Sequence, residues 1–365
     1  MVDCEVDLMK KTFPRINKNP GFIFYFFLAV IIASLILFCI PGCSADSTKN
    51  TSSGGKNTAS GTEEPVRIGI NLWAGYAYAF VAVDKGFFKN NGVDVELILS
   101  KEYTESLNLY ENGDIDGFFG VLSDVIFHNS HGCKTKVIYV TDYSVTADVI
   151  IVDPLFDSLE ALKGKKIGVE NINSFSHLFV LEVFEKAGIT ETELQFEVVP
   201  SQEITKALDA GRIEAGHTWD PEKTEALKKG YKIVATAGDV PGLITDILAV
   251  SDSLIKARPK DVLAIVKSIS QAKDFLDTNP EEALKIMVKY EGGTAEEMAA
   301  SIKEVHLLNP QDNLKSMEPS EEATSLYGAG KIISDYYLNR GQISSIPVFD
   351  EIIDSTFIKK VLGNK

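Results

Sequence analysis

The chain has 365 residues, 45% of them hydrophobic and 24% charged, an ordinary globular composition long enough to build two cores. Its net charge is −16, with 52 acidic side chains against 36 basic ones. No basic cluster appears, which argues against a nucleic-acid partner, because a phosphate backbone is held through grouped Lys and Arg.

The first 43 residues read as an export signal rather than as part of the fold. Lys10, Lys11, Arg15 and Lys18 precede an uncharged run from Gly21 to Ile40, and Pro41-Gly42-Cys43 follows. A basic region, an apolar region and a small residue before a cleavage point predict a signal peptide over residues 1–42. Ile40-Pro-Gly-Cys43 resembles a lipobox, in which the signal is cut before the Cys and that Cys, here Cys43, is acylated. Pro41 departs from the usual small residue, and an apolar run of this length can also span a bilayer as an uncleaved anchor. Either way the remainder of the chain is expected on the extracytoplasmic face of the cell membrane. With Cys4 and Cys39 in the signal and Cys43 lipidated, Cys133 is expected outside any internal disulfide, so the domain stands on its core. Residues 43–64 are Ser, Thr, Gly, Asn and Lys with almost nothing apolar, a lipid-anchored flexible tether.

Val66 to Ile70 then reads as a short buried strand. It runs into a loop carrying Asn71, Trp73, Gly75 and Tyr76 and a helix with apolar residues at Ala79, Phe80, Val83 and Phe87. An aromatic loop at a helix start suits a small ligand, since the side chains offer contact surface and the first helix N–H groups offer donors. Val93 to Leu99 is the next strand, and Gly117 to Asp124 is a strand ending in a second such loop, with Leu122, Ser123 and Asp124. Ser123 or Asp124 would also cap the following helix. Lys136 to Tyr143 and Ala147 to Val152 are apolar strands, and Thr146 and Asp148 lie where one gives way to the other. Asp153-Pro154 breaks the pattern and marks the crossing into a second lobe.

That second lobe repeats the first. Arg67 is answered by Lys166, Ser100 by Ser201, Gly113 by Gly211 and Asp116 by Glu214, at offsets of 99, 101, 98 and 98 residues. Four landmarks in one order predict two similar α/β lobes. The site loops of the second are Asn173 to His177, with Ser174, Phe175 and Ser176, then Ser201 to Glu203, and Thr218 to Pro221, with Trp219 and Asp220. Pro241 to Val250, with Asp246 inside it, reads as the return strand, and Ser253 to Lys365 is mostly helical, with a stripe at Val262, Ile265, Val266 and Ile269. The expected architecture has lobe I over residues 65–152 and 245–365 and lobe II over residues 153–244. Two Rossmann-like lobes are joined by two crossing strands, with a ligand cleft between them and extra C-terminal helices.

Six segments in order carry a resemblance: Ile70-Asn-Leu-Trp-Ala-Gly-Tyr76, Lys85-Gly-Phe-Phe88, Gly113-Asp-Ile-Asp116, Leu162-Lys-Gly-Lys-Lys-Ile-Gly168, Asn173-Ser-Phe-Ser-His177 and Trp219-Asp-Pro221. Through them the chain resembles the substrate-binding proteins of ABC importers in the group that serves nitrate, taurine, alkanesulfonates and thiamine-precursor pyrimidines. The resemblance implies a type II periplasmic-binding fold and a monomer without cofactor that performs no chemistry. Its ligand would be passed to a membrane permease and its ATPase.

For the ligand, Ser174 and Ser176 at a helix start suit sulfonate or nitrate oxygens. Against a bare anion stand Asp124, Asp148, Asp220 and Asp246, since a buried carboxylate facing an anion is costly. The balance favours a zwitterion such as taurine, or an amine-bearing ligand. Trp73, Tyr76, Tyr78, Phe175 and Trp219 could sandwich a pyrimidine, wall an alkyl chain or cage a quaternary amine. Enzyme signals are weak. The stretch His128-Asn-Ser-His-Gly-Cys133 lacks a fourth zinc ligand, no Gly-x-Ser-x-Gly elbow occurs, and the cysteine-rich run of relatives that make the thiamine pyrimidine is missing. A binding protein is expected, with an extracytoplasmic sensor or adaptor as the alternative use of the same cleft.

Overall fold

The computed structural model describes residues 64–363. The signal, most of the tether and the acylation candidate Cys43 therefore lie outside the described residues. Among the described residues no helix is long and apolar enough to cross a membrane.

The chain enters a first sheet with β1 (Val66–Asn71), β2 (Val95–Ser100), β3 (Gly117–Val121) and β4 (Thr135–Ser144). It crosses to a second with β5 (Val149–Val152), β6 (Lys166–Val169), β7 (Gln195–Val198), β8 (Ala215–Thr218) and β9 (Lys232–Thr236). It returns with β10 (Thr245–Ser251) and β11 (Val305–Leu307). The sheet orders are β11-β4-β10-β3-β1-β2 and β7-β6-β8-β5-β9. In each, three parallel strands meet an antiparallel one at the third: β10 against β3, and β5 against β8. The expected α/β fold of two similar lobes with added helices is the one observed.

One boundary moves. Lobe I was expected to run to residue 152, but β5 pairs with β8 and β9 and so belongs to the second sheet. Val-Ile-Ile-Val is apolar and buried throughout, and such a strand fits either sheet until its partners are known. The crossing is residues 145–148, and the return crossing is residues 237–244. The two crossings bond to each other, with Ala237 N–H donating to the Asp148 carbonyl at 2.9 Å and Gly238 N–H to the Val145 carbonyl at 2.5 Å.

The sequence echo has a packing cause. Gly69 and Gly168 sit at the same place in β1 and β6, and a Cβ on either would come within 2.8 Å of an isoleucine Cδ1, Ile115 in one lobe and Ile213 in the other. The following acid closes the same ring in both. Asp116 accepts from the Arg67 N–H at 2.8 Å, and Glu214 accepts from the Lys166 N–H at 2.9 Å.

After β10, helix Pro259–Thr278 buries Val262, Ile265, Val266 and Ile269 and packs against helices Ala79–Asp84 and Phe87–Asn90 of lobe I. Helix Leu326–Asn339 packs on helix Leu122–Ser130. The tail also reaches across to lobe II: Arg340 pairs with Glu191 and donates to Asn173 Oδ1, and Ser301 donates to Asp220 Oδ2 at 2.8 Å. The expectation for Cys133 is corrected: it is disulfide-bonded.

Candidate functional site

Ligand sites of open α/β sheets lie beyond the carboxyl ends of the parallel strands. Here those ends face each other. From lobe I come Asn71 at the end of β1, Trp73 and Tyr76 in the loop after it, Tyr103 from helix Tyr103–Glu111, and Val121 at the end of β3. Ile244 and Asp246 arrive with the return crossing and β10, and Asp148 with the first crossing. Phe175 at the start of helix Phe175–Lys186 and Trp219 after β8 close the wall from lobe II. These ten side chains line one cavity whose volume, about 10 Å³, is the room of a single water molecule, so the lobes are shut on each other. Phe175 touches Tyr103 and Trp219 with ring centroids 5.0 and 5.9 Å apart, which brings rings of both lobes into one aromatic wall.

Carboxylates set the charge of this wall. Strand register puts Asp246 of β10 directly opposite Asp142 of β4 on one side and Val121 of β3 on the other. Residues opposite each other in a ladder present their side chains on one face, so the two acids are forced together. Burial, and for Asp246 the neighbouring Asp142, raise both well above the ordinary carboxylate range. Asp142 is steadied by the Trp73 indole N–H, 3.3 Å from each oxygen, and by the Thr141 hydroxyl at 2.9 Å. Gly75 makes that approach possible, since a Cβ there would stand 2.0 Å from Asp142 Oδ2. Burial lifts Asp124 to about 6 and Glu291 to about 8, although Asp124 accepts from Tyr103 Oη–H and Glu291 from the Trp73 backbone N–H at 3.5 Å.

On the lobe II side a hydrogen-bond chain ends on Asp148. The Glu170 N–H donates to Ser176 Oγ at 3.0 Å, Ser176 Oγ meets His217 Nδ1 at 2.8 Å, and His217 Nε2 meets Asp148 Oδ1 at 2.9 Å. Asp148 Oδ2 and Asp246 Oδ2 are left buried without a hydrogen-bond partner among the described residues. Among the described residues no basic side chain lines the cavity. The nearby Lys223 is committed to Glu304 and Asp220, and Arg340 to Glu191.

Seven of the residues anticipated for the site line the cavity: Asn71, Trp73, Tyr76, Asp148, Phe175, Trp219 and Asp246. The others stand elsewhere, each for a local reason. Gly75 makes room for Asp142. Leu122 and Ser123 are buried beneath the wall, and Asp124 caps its helix by accepting from the Val121 N–H at 3.3 Å. Thr146 is exposed on the crossing. Ser174 caps helix Phe175–Lys186, and the Ser176 hydroxyl is spent on Glu170 and His217, so neither is free for an anion. Asp220 binds Thr224 and Ser301 at the edge of a neighbouring cavity. Tyr78 is buried outside the wall, near Tyr139. Tyr103, Val121 and Ile244 were not anticipated, nor were Asp142, His217 and Glu291 behind them. An acid within the apolar run of β4 is the signal that could have pointed to Asp142.

Comparison with known proteins finds relatives by sequence and by fold. A binding protein of Brucella abortus is 23% identical over 305 residues, covering 77% of this chain and 87% of that one. A 4-amino-5-hydroxymethyl-2-methylpyrimidine phosphate synthase of Saccharomyces cerevisiae is 23% identical over 227 residues, 58% of this chain and 66% of its own. Among solved structures, the ligand-binding component of an ABC-type import system from Staphylococcus aureus, with zinc bound, superposes with a TM-score of 0.69 at 15% identity, over 82% of this chain and 99% of that one. The model of the NMT1/THI5-like family matches residues 73–283, and the chain belongs to that family.

Proposed function

We propose that the protein is the solute-binding component of an ABC importer. It takes up a small organic cation on the extracytoplasmic side and passes it to a membrane permease and its ATPase. The observation that carries the ligand class is the cavity itself, walled by aromatic rings and carboxylates with no basic side chain lining it. Placing nitrate or a bare sulfonate beside Asp148 and Asp246 would leave its charge with no cation to pair with in a desolvated space. A positively charged nitrogen instead neutralises the opposed acids and lies against ring faces. A taurine-like ligand keeps support only through its amine, and a protonated aminopyrimidine falls within the same class. Two lobes joined by paired crossings, with a cavity too small for a ligand when shut, support capture by opening and closing about residues 145–148 and 237–244.

A thermal-shift series tests this reading. Choline, an alkylamine, an aminopyrimidine, taurine, an alkanesulfonate and nitrate are each added to the purified protein. A bound cation at one hundred times its Kd adds about 2.7 kcal/mol and a shift of a few degrees. A shift with nitrate or alkanesulfonate and none with any cation would overturn the ligand class.

A further inference from the structure

We infer that the ligand's cationic centre carries at least two N–H donors, as a primary ammonium or an amidinium does, and that it bridges Asp148 and Asp246. This inference rests on the cationic reading above and narrows it.

The accounting of acceptors leads there. Asp142 has both oxygens occupied, by the Trp73 indole and the Thr141 hydroxyl. Asp148 has one oxygen held by His217 Nε2 at 2.9 Å, which fixes the carboxylate and leaves Oδ2 unpartnered. Asp246 is held by strand register rather than by side-chain donors, and its Oδ2 is likewise unpartnered. Both residues are all but buried, at 2% and 3% exposure, and both line the same cavity. A buried acceptor without a donor is costly, and more so when charged, so a site carrying two is built for donors that arrive with the ligand.

A quaternary ammonium has none to give. It would satisfy the rings and the net charge while leaving both oxygens unpaired, whereas an N–H cation satisfies all three. The bridge would also join the lobes. Asp246 belongs to β10 of the first sheet, and Asp148 is pinned to β8 of the second through His217. One ligand nitrogen, or two nitrogens on one amidine carbon, would therefore tie the two lobes to each other once the ligand is bound.

The two tryptophans of the chain, Trp73 and Trp219, both line the cavity, so intrinsic fluorescence reads the site directly. The whole protein is titrated at constant ionic strength with methylammonium, acetamidinium, tetramethylammonium and methanesulfonate. One of the two N–H cations is expected to give a saturable change at a concentration at least tenfold below that of tetramethylammonium. Asp148→Asn and Asp246→Asn are each expected to abolish that preference. Tetramethylammonium binding as well as or better than both N–H cations would overturn the N–H requirement while leaving a cation site. A response to methanesulfonate alone would overturn the cationic reading and the inference together, and no saturable response to either N–H cation would overturn the inference. The four-probe comparison on the unmodified protein decides by itself, so the test survives a variant that does not fold.

Discussion

The two lobes are built alike and finished differently. Gly69 against Ile115 and Gly168 against Ile213 make the same close approach of a strand to the isoleucine just before the next strand, and Asp116 and Glu214 bond the same backbone position. At the cleft the likeness ends. Lobe I presents Asp246, with Asp142 behind it, beside the rings of Trp73, Tyr76 and Tyr103, while lobe II presents Phe175 and Trp219 backed by the Ser176–His217 chain. Residues that repeat hold the scaffold, and residues that do not repeat line the cleft. A duplicated fold allows this because the packing inside each lobe is local, whereas the facing loop ends are constrained only by each other.

The largest effect expected comes from the wall. Trp219→Ala removes a buried ring packed on Phe175, Tyr103 and His217, and it should cost about 3–5 kcal/mol in chemical denaturation as well as ligand affinity. A variant with unchanged stability and binding would mean that lobe II contributes nothing at the cleft. Next, Gly69→Ala and Gly168→Ala should each destabilise by about 1–3 kcal/mol, because the added Cβ overpacks against Ile115 or Ile213. The equality matters more than the size. If one lobe tolerates the change and the other does not, the two scaffolds are not equivalent.

The carboxylates of lobe I predict a pH dependence that lobe II's aromatic wall lacks. Asp124, with a pKa near 6, Glu291, near 8, and the raised Asp142 and Asp246 hold protons in the folded state that the unfolded chain releases near pH 4. The folded state therefore binds more protons between about pH 4 and 8, and this contribution to stability falls as pH rises through that window. Melting curves of the ligand-free protein should show it, and Asp142→Asn should flatten the slope by removing one member of the opposed pair. A slope unchanged by that substitution would show that Asp142 is not a source of the effect. The smallest effects belong to the repeat's hydrogen bonds. Asp116→Asn and Glu214→Gln should each cost about 0.5–1 kcal/mol, alike in the two lobes, as seen by urea denaturation of the two variants side by side.

Much of the scaffold was legible in the order of residues alone. A short apolar strand, a glycine turn and an acid at a matching offset are local requirements of each lobe, so they leave the same residue types behind twice. The aromatic and acidic loop ends could be read for the same reason, because rings and carboxylates at strand ends stand out against an apolar pattern. Only the tertiary structure decided the rest. Strand register, not composition, sets Asp142 beside Asp246, and pairing with β8 and β9 is what places Val149–Val152 in the second sheet. Ser174 and Ser176 look like anion ligands until the helix cap and the His217 chain claim them. Tyr103 comes to the wall from a helix with no distinguishing pattern. These are contacts between segments far apart in the chain, and no local preference of a residue encodes which distant partner it will meet.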